Sequence, residues 1–298
     1  MPRFPSSVTH VGYADESWHN IGRYRAIALV TLEKDRHEFI DLRLRRILEE
    51  HSCDEVKWVE LRTDFDLRIT QRCFKEVYEY LRLGIMRCDV LIWDIEDSRH
   101  KIAGRDDSCN LARMYYHLLK NVLRVRWPDE SRWAIYPDEN SALHWDEIRG
   151  YLHTQSYSLA PSKPIMSLRE FGLHLRREFE IVELRGCDSV EEPLVQIADI
   201  LAGLAVFSRN CFAKYKAWEE IRSPQEKLFQ DETSEQLNLS NSEKRRCQFL
   251  KEFRAFASRH KMGVSLNSSS GLKTYRPEYP LNFWMYEPQS ELDKAPTG

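Results

Sequence analysis

Two segments, HVGYADES (10–17) and YRAIALVTLE (24–33), decide the fold. In the first, Val11 and Tyr13 alternate with small residues before the chain meets Asp15 and Glu16. The second has a continuous apolar centre, and the turn region SWHNIG (17–22) joins the two. Such a pair reads as a β-hairpin. Its strands run antiparallel, so any sheet built on it is mixed rather than wholly parallel.

Working outward, apolar spacing predicts a helix over 35–50, with Phe39, Leu42 or Arg43, Ile47 and Leu48 on its stripe. A second helix over 66–83 carries Ile69, Cys73, Val77, Tyr80 and Leu81, with Asp66 as N-cap and Gly84 as C-cap. Between them, EVKWVEL (55–61) reads as a short strand or an arm into that helix. Strands are expected at MRCDVLIWDIED (86–97), RWAIYPDEN (132–140), 165–171 and 179–185, and helices at 109–126 and 143–153. Pro193 opens the strongly apolar helix LVQIADILAGLAVFS (194–208), and 243–261 is a helix with seven Lys and Arg against two Glu. GVSLNSSSGLKTYRPEY (263–279) is a polar loop, and PLNFWMYEP (280–288) a final strand-like piece. Strands and helices alternate from about 11 to 208, which is the pattern of an α/β domain with helices on both faces of one sheet. Residues 1–210 therefore form the expected domain, and 211–298 a helical and irregular C-terminal extension packing on it.

Composition narrows the function. Of 298 residues, 42% are hydrophobic, and only 11 are Gly and 12 Pro, which excludes collagen-like and largely disordered chains. The net charge of −3 makes any polyanion site a local patch. Basic residues cluster at 43–46, 120–126, 169–177 and 244–261, either as solvated faces or as a phosphate track. No apolar run of 18 residues predicts a membrane helix, and the first residues lack a signal-peptide core. The seven cysteines show no CxxC pair and read as reduced thiols of a cytoplasmic protein. The histidines lack zinc spacing, and no GxSxG, GxxxxGK[ST] or GxGxxG element occurs. Serine hydrolase, P-loop and Rossmann chemistries are disfavoured, and no carboxylate pair singles out a glycosidase.

Acids at the ends of apolar strands carry the chemical signal. Asp15-Glu16, then Asp94, Glu96 and Asp97, then Asp138-Glu139 each follow a strand. Ligands gather beyond the carboxyl ends of strands in open α/β sheets. Converging carboxylates suit Mg²⁺ or Mn²⁺, although each acid alone also suits a turn. Asp199 stands inside a nearly all-apolar helix, where an unpaired carboxylate is costly. Gln196, Asp199 and Gly203 share one face of it, so Asp199 either ligates or bonds a neighbouring loop, and Gly203 admits a close approach. Glu55 and Lys57, two apart, make an acid–base pair suited to a metal and a phosphate or to a surface ion pair. Glu60 competes with Glu55 for the acidic role.

YADES (13–17) after an N-terminal strand and VQIADILAGLAVF (195–207) far along the chain together resemble the DUF3800 family, which is grouped with ribonuclease H-like folds. EVKW (55–58) resembles its E-x-K element, and IYPDEN (135–140) its mid-chain strand ending in Asp. The resemblance implies a ribonuclease H-like mixed sheet with a metal site. Asp15 would bridge two Mg²⁺ or Mn²⁺ ions, with Glu55, Asp138 and Asp199 completing the ligands and Lys57 beside phosphate. Asp94 rivals Asp138, and Glu16 and Glu60 are secondary candidates. The implied activity is a metal-dependent nuclease on DNA or RNA using activated water, in a setting of phage defence or mobile-element conflict. The alternative is a catalytically inactive module that binds nucleic acid or protein. A protein partner or homo-oligomer is left open, and no membrane partner is expected.

Overall fold

The computed structural model describes residues 4–17, 22–97, 106–139, 143–154, 156–161, 173–221 and 238–287. The expected hairpin forms: β1 (His10–Ser17) pairs antiparallel with β2 (Tyr24–Glu33), Asp15 lying opposite Ala28. Helices α1 (Lys34–Glu50) and α2 (Asp64–Arg82) follow, then β3 (Met86–Asp94), antiparallel to β2. Helix α3 (Asp107–Val125) leads to β4 (Ser131–Pro137), which pairs parallel with β1. After α4 (Trp145–Thr154), strands β5 (Tyr157–Pro161) and β6 (Leu173–Arg177) form a separate ribbon, and β7 (Phe179–Leu184) joins β4 in parallel. Helices α5 (Pro193–Asn210), α6 (Phe212–Ile221) and α7 (Asn241–Arg259) come next. The short pair β8 (Val264–Ser265) and β9 (Lys273–Thr274) precedes β10 (Leu281–Met285), which pairs parallel with β3.

The main sheet has the order β10-β3-β2-β1-β4-β7. It is the α/β arrangement of a mixed sheet flanked by helices, consistent with the ribonuclease H-like class. Each face buries its own core. Val11 and Tyr13 of β1 point to the face covered by α1, α2, α5 and α7. Ala14 points to the opposite face, covered by α3 and α4. Because side chains alternate along a strand, Asp15 faces the α5 side and Glu16 the α3 side.

Several elements depart from expectation for identifiable reasons. Phe39 and Leu42 of α1 are exposed, whereas His37, Ile40, Asp41, Leu44, Ile47 and Leu48 are buried. Polar partners draw the helix round: His37 Nε2 meets the Tyr13 hydroxyl at 2.6 Å, and Arg45 donates to Asp41 at 2.8 Å. Helix α2 starts earlier than Asp66, because Thr63 is its N-cap and Asp66 closes the capping box. Gly84 takes φ +67°, as expected just past a helix end. The segment 55–61 is no strand; Trp58–Glu60 is a single 3-10 turn. The polar loop after 263 carries β8 and β9, and the chain beyond 211 supplies β10 to the main sheet as well as α7. The strand expected at 165–171 lies outside the described residues. All seven cysteines are free thiols. Among the described residues no single helix is long and apolar enough to cross a membrane.

Candidate metal centre

Asp15 sits near the end of β1. The parallel ladder that pairs Ala14 with Pro137 continues as the Asp138 N–H donates to the Ala14 carbonyl at 2.8 Å. Asp138 therefore lies beside Asp15 on the adjacent strand, where β4 gives way to the loop. Helix α5 covers this face and carries Asp199 towards them. Asp15 is only 9% exposed. Burial raises its pKa well above the ordinary carboxylate range, and the negative charges of Asp199, Glu16 and Asp138 raise it further. Asp138 is also raised, chiefly by burial, with Glu16 and Glu55 adding to it.

Asp199 is pushed up to about 7 by burial, with Glu55 and Asp138 adding repulsion. The Trp58 N–H and the Lys57 charge oppose that rise. One oxygen of Asp199 accepts the Trp58 N–H at 2.6 Å. The face read from the sequence as Gln196, Asp199 and Gly203 thus binds the 54–58 segment to α5. Gln196 Oε1 accepts the Val56 N–H at 3.1 Å, and its amide donates to the Ser189 carbonyl at 2.8 Å. Ser189 in turn donates its hydroxyl to Glu55. At Gly203 an added Cβ would lie 2.1 Å from Trp58 Cγ, so the close approach there is that of an indole. Lys57 bonds Glu55 at 2.8 Å, and this carboxylate is the main reason its own pKa is raised.

The remaining candidates separate from this group. Asp94 is level with Tyr24, whereas Asp15 is level with Val90 through Ala28. Four residues along and two strands across put Asp94 about 16 Å away. Arg23 grips it at 2.5 Å and holds its pKa below the usual value. Glu60 is exposed on the 3-10 turn. Glu16 faces the other side of the sheet and accepts the Tyr115 hydroxyl, yet it is near enough to raise Asp15.

Asp15, Asp138, Asp199 and Glu55 form an all-oxygen set with crowded negative charge, which is the donor chemistry of hard divalent cations. They are spread more widely than a single-ion cage. Among the described residues the one group with ligand atoms within 4.8 Å of one another is His37, Asp41 and Glu192. The sequence carried a signal for part of that group, a His and an Asp four apart on one helix. Arg45 already bonds its Asp41. Ser189 had no sequence signal, because it reaches Glu55 only through the fold.

The crowding has a pH consequence. Asp15 and Asp199 keep protons in the folded chain that the unfolded chain releases near pH 4. Stability from these groups is full below that pH and is lost as pH rises through the folded values. Without divalent cations, raising the pH from 5 to 8 should lower the Tm of the wild type relative to Asp199→Asn by roughly 5 °C. Mn²⁺ should reverse the trend, because a ligand of the ionised native state stabilises it. Differential scanning fluorimetry of both proteins across this range checks it.

No family model matches the chain. Two proteins of Methanothermobacter thermautotrophicus are similar over nearly their whole length. "Uncharacterized protein ORF2'" is 38% identical over 303 residues, covering 98% of this chain and 99% of its own. "Uncharacterized protein ORF2" is 38% identical over 298 residues, covering 96% and 97%.

Proposed function

The chain belongs to one family with ORF2' and ORF2 of Methanothermobacter thermautotrophicus, and for this member we propose metal-dependent hydrolysis of phosphodiester bonds in DNA or RNA. One observation carries the reading: Asp15 and Asp138 lie side by side on parallel strands, under an Asp199 whose charge raises the pKa of Asp15. Crowding of this kind is relieved by divalent cations, and among the described residues Lys57 and Arg246 offset it only in part. Asp15, Glu55, Asp138 and Asp199 would hold Mg²⁺ or Mn²⁺. Such ions, when bound, supply an activated water and neutralise charge on the phosphate. The chain's own contribution is orientation. Gln196 and Ser189 fix the Glu55 segment, Asp199 fixes Trp58, and Lys57 stands beside Glu55 with 38% of its side chain exposed to meet a phosphate oxygen. The resemblance to the DUF3800 family supports the same reading and suggests a role in phage defence or mobile-element conflict. Seven free thiols suit the reducing cytoplasm.

The test is cleavage of labelled single- and double-stranded DNA and RNA by purified protein. Cleavage should require Mg²⁺ or Mn²⁺ and stop with chelator. Lys57→Ala should lower the rate about a hundredfold while Mn²⁺ still raises the Tm. Absence of cleavage on all four substrates would count against the reading. One observation favours a second reading, a non-catalytic module that binds nucleic acid or protein: Glu55 already bonds Lys57 and Ser189, and Asp199 bonds Trp58. That reading expects no Tm response to Mn²⁺.

A further inference from the structure

Helix α2 begins just past the 54–58 segment, and its outer side differs from the other charged faces. Phe65, Arg68, Arg72 and Lys75 stand at i, i+3, i+7 and i+10, a spacing that aligns them in one row. Arg62 stands ahead of them, and all five are exposed. Elsewhere, Arg43, Arg45, Arg46 and Arg82 are each held by a carboxylate. Among the described residues Arg62, Arg68, Arg72 and Lys75 form no ion pair. An array of cations with no carboxylate partner among the described residues, on a chain of net charge −3, is a local polyanion surface.

Both ends of the row lead somewhere. At one end Arg62 Nε donates to the Val59 carbonyl at 3.1 Å, next to the Trp58 whose N–H Asp199 holds. At the other end Lys75 enters a cleft of about 330 Å³ between α2 and α7. Tyr78 stacks on Phe256 there at 3.9 Å, and Arg259 and His260 complete the lining. The acids at the cleft are engaged, Glu79 by Arg82 and Glu252 by Gln71. From Phe65 to Lys75 the row covers about 15 Å of helix.

We propose that this row guides a single strand of nucleic acid from the carboxylate centre to the α2–α7 cleft. The inference rests on the phosphodiesterase reading for its direction. A single row of cations tracks one backbone, whereas a duplex presents two. The exposed Phe65 ring engages base faces that a duplex keeps stacked. An acidic polypeptide would match the charge but has no use for that stacking.

The experiment is fluorescence anisotropy of the full chain in chelator, with labelled single-stranded oligo-dT and oligo-U as separate arms. Binding should fall with salt at a log–log slope of about −3, the value for four phosphate contacts on a single strand. Arg68→Ala combined with Arg72→Ala should flatten the slope by roughly 1.4. Phe65→Ala should weaken binding about tenfold at unchanged slope. These exposed substitutions should leave the Tm alone, which separates lost contacts from lost folding. The two arms report whether the strand is DNA, RNA or either. An unchanged slope in the double variant overturns the proposal, as does equal competition by duplex or by poly-glutamate. If the binding pattern holds but no substrate is cut, the nuclease reading fails and the guide stands. If cleavage occurs and binding ignores the row, the guide alone fails.

Discussion

Replacing Asp199 by Asn should lower Mn²⁺-dependent cleavage on the order of a thousandfold while leaving the fold intact. The substitution separates two roles that one side chain carries. The Asn carbonyl oxygen can still accept the Trp58 N–H, which the carboxylate accepts at 2.6 Å. The 54–58 segment therefore stays docked, and with it Glu55 and Lys57. What disappears is the negative charge opposite Asp15, whose removal also lowers the pKa of Asp15. Above pH 7 the variant should be at least as stable as the wild type without metal, because it lacks one of the crowded charges. It should respond to Mn²⁺ with a much smaller rise in Tm. Were Asp199 only a cap for the segment, Asn would preserve both rate and metal response. Single-turnover rates and melting curves on the same preparations distinguish the two.

Gly203→Ala should cost about 3 kcal/mol, roughly 6–12 °C in Tm for a chain of this size. The added methyl would fall 2.1 Å from Trp58 Cγ, 2.4 Å from Cδ1 and 2.6 Å from Cδ2. The ring cannot retreat: Trp58 is 1% exposed, Phe207 meets its edge, and the Arg246 guanidinium lies 5.2 Å from its centroid. To accept the methyl, Trp58 must leave its site and pull its N–H from Asp199. The variant should therefore lose metal response along with stability. Gly150→Ala in α4 is the control. A Cβ there meets nothing within 4 Å, and the better helix propensity should make that variant neutral or slightly stabilised. Equal melting curves for wild type and Gly203→Ala would show that the indole does not pack as described.

The elements that could be read in the sequence are those whose burial is simple. The β1–β2 hairpin, the buried β3 and the apolar α5 stand out because nearly every side chain in them is inside. Helix α1 misleads because its buried stripe includes His37 and Asp41 while Phe39 and Leu42 face solvent. Hydropathy cannot see that Tyr13 and Arg45 satisfy those polar groups. For the same reason the acid-after-strand rule selects Asp15, Asp94 and Asp138 alike. Only strand order and register, which are non-local, bring Asp138 beside Asp15 and carry Asp94 to Arg23. The face shared by Gln196, Asp199 and Gly203 was legible, but its partner, the 54–58 segment more than 130 residues away, was not. The parallel pairing of β10 with β3 was equally hidden, since an isolated apolar strand does not name its neighbour.

The most direct measurement is anomalous scattering from a crystal soaked in Mn²⁺ at pH 8. The account predicts anomalous peaks bounded by Asp15, Asp138 and Asp199, absent from an Asp15→Asn crystal treated alike. No peak there, or a peak confined to His37, Asp41 and Glu192, would contradict it.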